Sequence, residues 1–232
     1  MIRTFTVASL VALGLAGAAS AETRTYDVGA FNNIDISAGL DLEFTAGGAQ
    51  SITVENAKGD FSDIEVLVRG DTLVLKRKKN MNWGWNRKRE RYGITVTAPQ
   101  ISGLEASSGS DVSGRNMSGD DVSIDVSSGA DVTVTGVDGG TVVIETSSGS
   151  DASVSGTCVT VRAESSSGSD LEARDLICQN GYADASSGSD ISIHVSVSVN
   201  ADASSGADVD VYGGPTDVQS DKSSGGSVSI RS

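Results

Sequence analysis

The chain is poor in most of what a bulky globular core uses. It holds 2 Trp, 4 Tyr and 4 Phe against 28 Gly in 232 residues, so any core must be thin and built from Val, Ile, Ala and Leu. His194 is the only histidine, and its position on an alternating strand pattern gives it no histidine or cysteine to work with. That scarcity argues against zinc sites and histidine-activated nucleophiles. Serine is abundant, yet no Gly-x-Ser-x-Gly nucleophile turn occurs. Proline appears twice, and no segment carries helical periodicity of useful length. Apart from one N-terminal stretch there is no long apolar run, so nothing predicts a membrane-spanning helix.

That stretch reads as a secretory signal. Arg3 supplies the charged start, Val7 to Ala18 the apolar region and Ala19-Ser20-Ala21 the cleavage site. Residues 1–21 are expected to be removed, leaving a mature chain that begins near Glu22, exported to the periplasm or the cell surface. No cysteine lies near Ala21 to take a lipid anchor.

Charge is unevenly placed around a formal net of −14. From Lys76 to Arg91 stand eight basic residues and one acid, a local +7, while the rest of the mature chain holds 30 acids against 8 bases. An acidic body of this kind excludes nucleic acid as its partner, because phosphate demands the opposite sign.

The positive content is a repeat. Ser107-Ser108-Gly109-Ser110-Asp111 returns at 127–131, 147–151, 166–170, 186–190 and 204–208, and in degenerate form at 223–227. The glycines fall 20, 20, 19, 20, 18 and 19 residues apart, the mark of a stacked architecture. Three residues after each glycine stand Val112, Val132, Ala152, Leu171, Ile191, Val209 and Val228. Five after it stand Gly114, Val134, Val154, Ala173, Ile193, Val211 and Ile230, with polar residues between the two columns. Five before it come Leu104, Ile124, Ile144, Ala163, Ala183, Ala201 and Ser220, a column that thins toward the C-terminus. Alternation with period two is strand, and a short strand unit cannot bury its apolar side alone. The expected fold is all-β, a parallel β-helix of about seven regular turns over 101–232. Glycine and small serines should make a tight corner at each turn.

Residues 22–100 alternate as well, at Ile34-Asp35-Ile36, Leu40 to Phe44, Ile52 to Val54, Ile64 to Val68, Leu73 to Leu75 and Ile94 to Val96, but without the period. They read as irregular strands continuous with the helix in one domain. Between Leu75 and Ile94 the basic runs Lys76, Arg77, Lys78, Lys79 and Arg87, Lys88, Arg89, Arg91 flank Trp83 and Trp85. Strands on both sides make this segment a hairpin tip or an extended loop. Its cations can serve only to keep a sheet edge soluble. Alternatively, with the two Trp they form a contact for an envelope polymer, a protein or an anionic surface.

Several blocks resemble the head-GIN-domain family of exported bacterial adhesin-like proteins: Val28-Gly-Ala-Phe31-Asn-Asn-Ile34-Asp-Ile36, Asp71-Thr-Leu73-Val-Leu75-Lys-Arg, Ile94-Thr-Val96-Thr-Ala-Pro99-Gln-Ile101 and the Ser-Gly-Ser-Asp repeats. The resemblance covers essentially the whole mature chain. It implies a right-handed β-helix outside the cytoplasm and brings no catalytic residues with it.

Two acidic columns flank the corner. Four residues before each glycine stand Glu105, Asp125, Glu145, Glu164, Asp184, Asp202 and Asp221; two after it stand Asp111, Asp131, Asp151, Asp170, Asp190 and Asp208. Stacked about 4.8 Å apart, neighbours repel by about 0.9 kcal/mol even at the dielectric of water. Two readings address this: hydrogen bonds from corner amides and serine hydroxyls to the carboxylates, or Ca2+ collected by the ladders. The calcium-binding nonapeptide repeat differs in register, since here the apolar residue follows Asp directly. Cys158 and Cys178 occupy one position on successive turns, so distance allows a disulfide, while parallel side-chain directions leave two free thiols equally open. The function expected is non-enzymatic, an adhesin-like or scaffold module needing no cofactor, with end-to-end stacking of copies through an open edge as a further expectation. The alternative is a polysaccharide-active β-helix lyase or hydrolase using carboxylate pairs.

Overall fold

The structure, a computed structural model, describes residues 21–78 and 90–231. Residues 1–20, where a signal is expected from the sequence, and Lys79, Trp83, Trp85, Arg87, Lys88 and Arg89 lie outside the described residues. Among the described residues there is no helix. The first seven strands are β1 (Glu22–Thr25), β2 (Asn33–Ile36), β3 (Asp41–Ala46), β4 (Ser51–Asn56), β5 (Ile64–Arg69), β6 (Thr72–Arg77) and β7 (Gly93–Ala98). Then follow β8 (Gly103–Ala106), β9 (Asp111–Arg115), β10 (Ser118–Ser127), β11 (Asp131–Ser147), β12 (Asp151–Ser166), β13 (Asp170–Ser186), β14 (Asp190–Ala203), β15 (Asp208–Tyr212), β16 (Asp217–Lys222) and β17 (Ser227–Ile230).

These strands stack as a parallel β-solenoid of about six turns; the seven corners from Gly109 to Gly225 bound six complete repeats. Each corner joins a strand of one parallel ladder to a strand of the other. One ladder runs β2, β8, β10 and the later halves of β11 to β14, ending at β16; the other runs β3, β9 and the earlier halves of β11 to β14, then β15 and β17.

The period does not begin at Ile101. Ser37-Ala38-Gly39-Leu40-Asp41 is a corner too, with φ of 71° at Ala38 and 66° at Gly39. The strands on either side of it lie directly on the first regular rung, Ile34 opposite Leu104 and Asp41 opposite Asp111. Between this rung and the next the chain leaves to build a cap. There β6 and β7 continue the two ladders in parallel, while β5, β4 and β1 close them with antiparallel pairs. The intervening segment is what hides the first rung from a search for a fixed period.

At each corner both the second serine and the glycine have positive φ: 59° and 70° at Ser108 and Gly109, 60° and 67° at Ser167 and Gly168. Two consecutive residues of this kind are the signature of a type I′ turn, and Ala130 N donates to Ser127 O at 3.3 Å across one of them. Space is not what selects glycine here, since a Cβ at Gly149, Gly168 or Gly188 would meet nothing within 4 Å. The backbone conformation selects it. The tight position is the next one, where Ser110, Ala130, Ser150, Ser169, Ser189 and Ala207 point inward at 0% exposure.

Those inward serines belong to a polar thread through the core. Ser150 Oγ donates to Val126 O of the preceding rung at 2.8 Å, Ser189 Oγ to Ser165 O at 2.7 Å, and Thr146 Oγ1 to Ser165 Oγ at 2.8 Å. Among the described residues no buried side-chain nitrogen or oxygen is without a partner, so the thread avoids the usual penalty for buried polar atoms. The rest of the core follows the columns and adds others: Ala106, Val126, Ala185 and Ala203, three residues before a corner glycine, Val122, Val142, Val161 and Val199, seven before one, and Met117, Val137 and Leu176, eight after one, are buried as well. Ser220 departs from its column and is exposed, as is the whole of β16 at the end of the stack.

Gly114 breaks an otherwise apolar column because Phe44, opposite it on the preceding rung, fills the space, and a Cβ there would collide with the Phe44 ring. Gly114→Val should lower stability by more than about 2 kcal/mol through overpacking. Adding Phe44→Ala should recover part of that loss, a coupling measurable by a double-mutant cycle of thermal unfolding. Strictly additive losses would contradict this account of the gap.

Candidate functional site

Two features stand out from the solenoid body: the carboxylate ladders beside the corner and the base from which the basic segment departs. Both are longer or more elaborate than the sequence columns suggest. Asp35 pairs with Glu105, which pairs in turn with Asp125, so that ladder runs Asp35, Glu105, Asp125, Glu145, Glu164, Asp184, Asp202, Asp221. Asp41 likewise extends the other, through Asp111, Asp131, Asp151, Asp170 and Asp190 to Asp208.

The expected hydrogen bonds from corner to carboxylate are not how the corner is satisfied. Gly109 N donates to Ser128 O at 3.2 Å and Gly168 N to Ser187 O at 3.2 Å, linking each corner to the next. The inward hydroxyls bond to carbonyls and to one another. The ladders are also unpaired with cations: the ion pairs among the described residues use Glu43, Asp63, Glu65, Glu90 and Asp210, none of which belongs to a ladder. Burial, and then the like charges above and below, raise the Asp131 and Asp190 carboxyls above their ordinary range. The same two causes raise Glu105, between Asp35 and Asp125, and Glu145, between Glu164 and Asp125. Burial likewise raises Asp35, opposed by the charges of Lys76 and Arg69. Among the described residues no group of three or more His, Cys, Asp or Glu is arranged to hold a metal ion. The carboxylates stand one per rung along a line instead of converging on a point.

The basic segment is not the tip of a hairpin. The strands on either side of it pair with other partners, β6 with β5 and β2, β7 with β4 and β3, and not with each other. Those two strands stack instead on β2 and β3, which flank the Ala38-Gly39 corner. The stems of the segment are clamped. Arg77, taken from sequence as a partner-binding cation, is built into the base: its guanidinium reaches Asp63 at 3.0 Å, Ala38 O at 3.0 Å and Glu90 O at 2.6 Å. The hydroxyl of buried Tyr92 donates to Asp63, and burial together with that carboxylate pushes it well above the ordinary tyrosine range. Asn56, 2% exposed, donates to Arg91 O at 3.0 Å and accepts from Lys58 N and Asp60 N at 2.8 and 3.0 Å.

Of the other cations, Lys76 pairs with Glu65 at 3.6 Å and Lys78 donates to Ser62 O at 3.1 Å, while Arg91 is exposed. The residues that hold the segment, Asn56, Asp63 and Tyr92, carry no motif; the Asn-x-Lys-Gly turn at 56–59 was the one legible hint. His194 sits opposite Tyr212 and over Gly213 on the outer surface. Cys158 and Cys178 are bonded, with Cα atoms 4.6 Å apart.

An all-β chain of stacked parallel strands with two outward carboxylate ladders defines the class of parallel β-solenoids. Within that class the chain belongs to the head-GIN-domain family, described as "Putative auto-transporter adhesin, head GIN domain", whose model matches residues 30–215. The fold is shared with a "putative adhesin" from Bacteroides fragilis at 22% identity and TM-score 0.83, covering 92% of this chain and 98% of that one. A "putative lipid binding protein" from Parabacteroides distasonis, 16% identical with TM-score 0.70, covers 91% of this chain and is itself covered to 97%. A "putative adhesin" from the same organism, 12% identical with TM-score 0.69, covers 91% and is covered to 97%. Among curated proteins none matches the sequence significantly.

The raised carboxyls make a prediction with a definite sign. A group whose folded-state pKa lies above its unfolded value adds stability that is full below the unfolded value and is lost as pH rises through the folded one. For Asp131, Asp190, Glu105 and Glu145, lowering pH from about 7 toward about 4 should therefore raise Tm. Added NaCl should raise Tm at the upper pH and do little at the lower, and Ca2+ should act no differently from Mg2+ at equal concentration. A Tm that falls over this range would contradict the ladder electrostatics.

Proposed function

We propose that the chain is an exported, non-enzymatic β-solenoid that binds an anionic envelope surface through the segment from Lys78 to Arg91. The observation that carries this reading is the clamp. Arg77, Asp63, Tyr92 and Asn56 fix both stems at the capped end of the stack, and a segment held this firmly at its roots loses less entropy on binding than a free tail would. Its sequence supplies Lys78, Lys79, Arg87, Lys88, Arg89 and Arg91 with Trp83 and Trp85 between them, a combination suited to anionic head groups or acidic polymers. Membership of an adhesin-described family supports a binding role. The N-terminal signal pattern supports export.

The acidic body opposes binding only locally, since physiological salt confines the field of the ladders to about 8 Å.

The mature chain should sediment with vesicles containing phosphatidylglycerol and not with phosphatidylcholine alone, and binding should weaken as salt rises. Trp83→Ala with Trp85→Ala should weaken it about tenfold while leaving Tm unchanged, because rings at a lipid interface contribute apolar burial. Equal sedimentation with neutral and anionic vesicles, or binding indifferent to the Trp pair, would overturn the proposal.

A further inference from the structure

The inward columns change character at the last described rung. Three residues before a corner glycine, Ala106, Val126, Thr146, Ser165, Ala185 and Ala203 are all buried. The next member of that column is Lys222, stacked on Ala203, and two residues earlier Ser220 lies on Ala201. The inward side of β16 thus carries a hydroxyl and an ammonium where the rung below carries two alanines. Val218 and Ile230, inward on the same rung, are 40% and 44% exposed, whereas Val199 and Val211, on which they stack, are 3% and 0% exposed.

Lys222 lies across this opening. Its Nζ donates to Val228 O at 2.8 Å, crossing beside the corner from β16 to β17. That carbonyl is the one a further strand would use. On the rung below, Ala207 O and Val211 O, two residues to either side of Val209, accept Ser227 N at 2.9 Å and Arg231 N at 2.7 Å. Bonds between parallel strands are evenly spaced, so Val228, stacked on Val209, turns its carbonyl to the open side in the same way.

The ammonium also makes the position costly to cover. It has three donors and no acceptor, and none of the ion pairs among the described residues uses Lys222. With one carbonyl for three donors it depends on water, and a rung laid over it would strip that water from a charge. Inward-pointing charge is one of the devices that keep sheet edges from pairing with another chain.

We propose that Lys222 is a strap that closes the mouth of the core at this rung against a second copy of the chain. It occupies the edge carbonyl that the second copy would bond to, and it holds a charge over the apolar positions that copy would cover. The end-to-end stacking that the repeat pattern allows is thereby blocked here, although Val218, Val228 and Ile230 offer it an apolar seat.

Analytical ultracentrifugation combined with hydrogen exchange tests this on the mature native chain, a Ser220→Val chain and a Ser220→Val/Lys222→Val chain. Over about a hundredfold range of concentration the native chain and the single variant should sediment as monomers, whereas the double variant should reach at least about twice the monomer mass at the upper end. In the associated double variant, amides of 217–222 and 227–230 should exchange about tenfold more slowly than in the native chain, while those across the earlier corners keep their native protection. The single variant separates the strap from the added apolar surface. A double variant that stays monomeric, a single variant that associates as readily, association that leaves exchange at 217–222 unchanged, or a native chain that associates through these strands would each overturn the strap.

Discussion

Everything in this solenoid depends on one constraint: parallel strands paired in register place each residue on its counterpart about 4.8 Å away. The arrangement favours some residue types and burdens others. Stacked valines and isoleucines make continuous core, and stacked corner amides find the carbonyl of the next corner. Stacked carboxylates repel. Burying a single Val or Ile side chain contributes about 1.5 to 3 kcal/mol, and each rung buries several, so the core outweighs two ladder contacts of about 0.9 kcal/mol each. The ladders persist as a tolerated cost on a scaffold that the core holds together.

The same constraint explains where the irregular features gather. Corners and inward columns cannot shift without losing their partners, so residues gained or lost between repeats collect on the far side, where Cys158 and Cys178 are bonded. Breaks in the pattern that need more room move to the end of the stack. There antiparallel β4 and β5 close the ladders, and Arg77, Asp63 and Tyr92 hold the two ends from which the basic segment departs. Function in such a fold is expected at these interruptions, because the regular rungs leave no freedom to build anything but repeats.

Much of this was legible in the sequence. The glycine period and the columns around it identify the solenoid, the corners and most of the core. What the period could not show was the first rung, since Ser37-Ala38-Gly39-Leu40-Asp41 is separated from its neighbour by the cap and carries Leu40 where later corners have Ser, Ala or, at the last, Gly. The polar thread was hidden because Ser150, Ser169 and Ser189 look like the exposed serines beside them. Only burial distinguishes them. The base of the basic segment was invisible for a different reason: Asn56, Asp63, Arg77 and Tyr92 are distant in sequence and meet only once the antiparallel cap has formed. Reading Arg77 as a free cation was the natural consequence.

The central claim is that residues 33–46 form the first rung of the same stack, directly against 103–115. Cysteine cross-linking measures this most directly. Asp41→Cys with Asp111→Cys, introduced into the chain with its native disulfide intact, should form a second disulfide under mild oxidation, while Asp41→Cys with Asp131→Cys, one rung farther away, should not. A cross-link in the second pair, or in neither, would contradict the account.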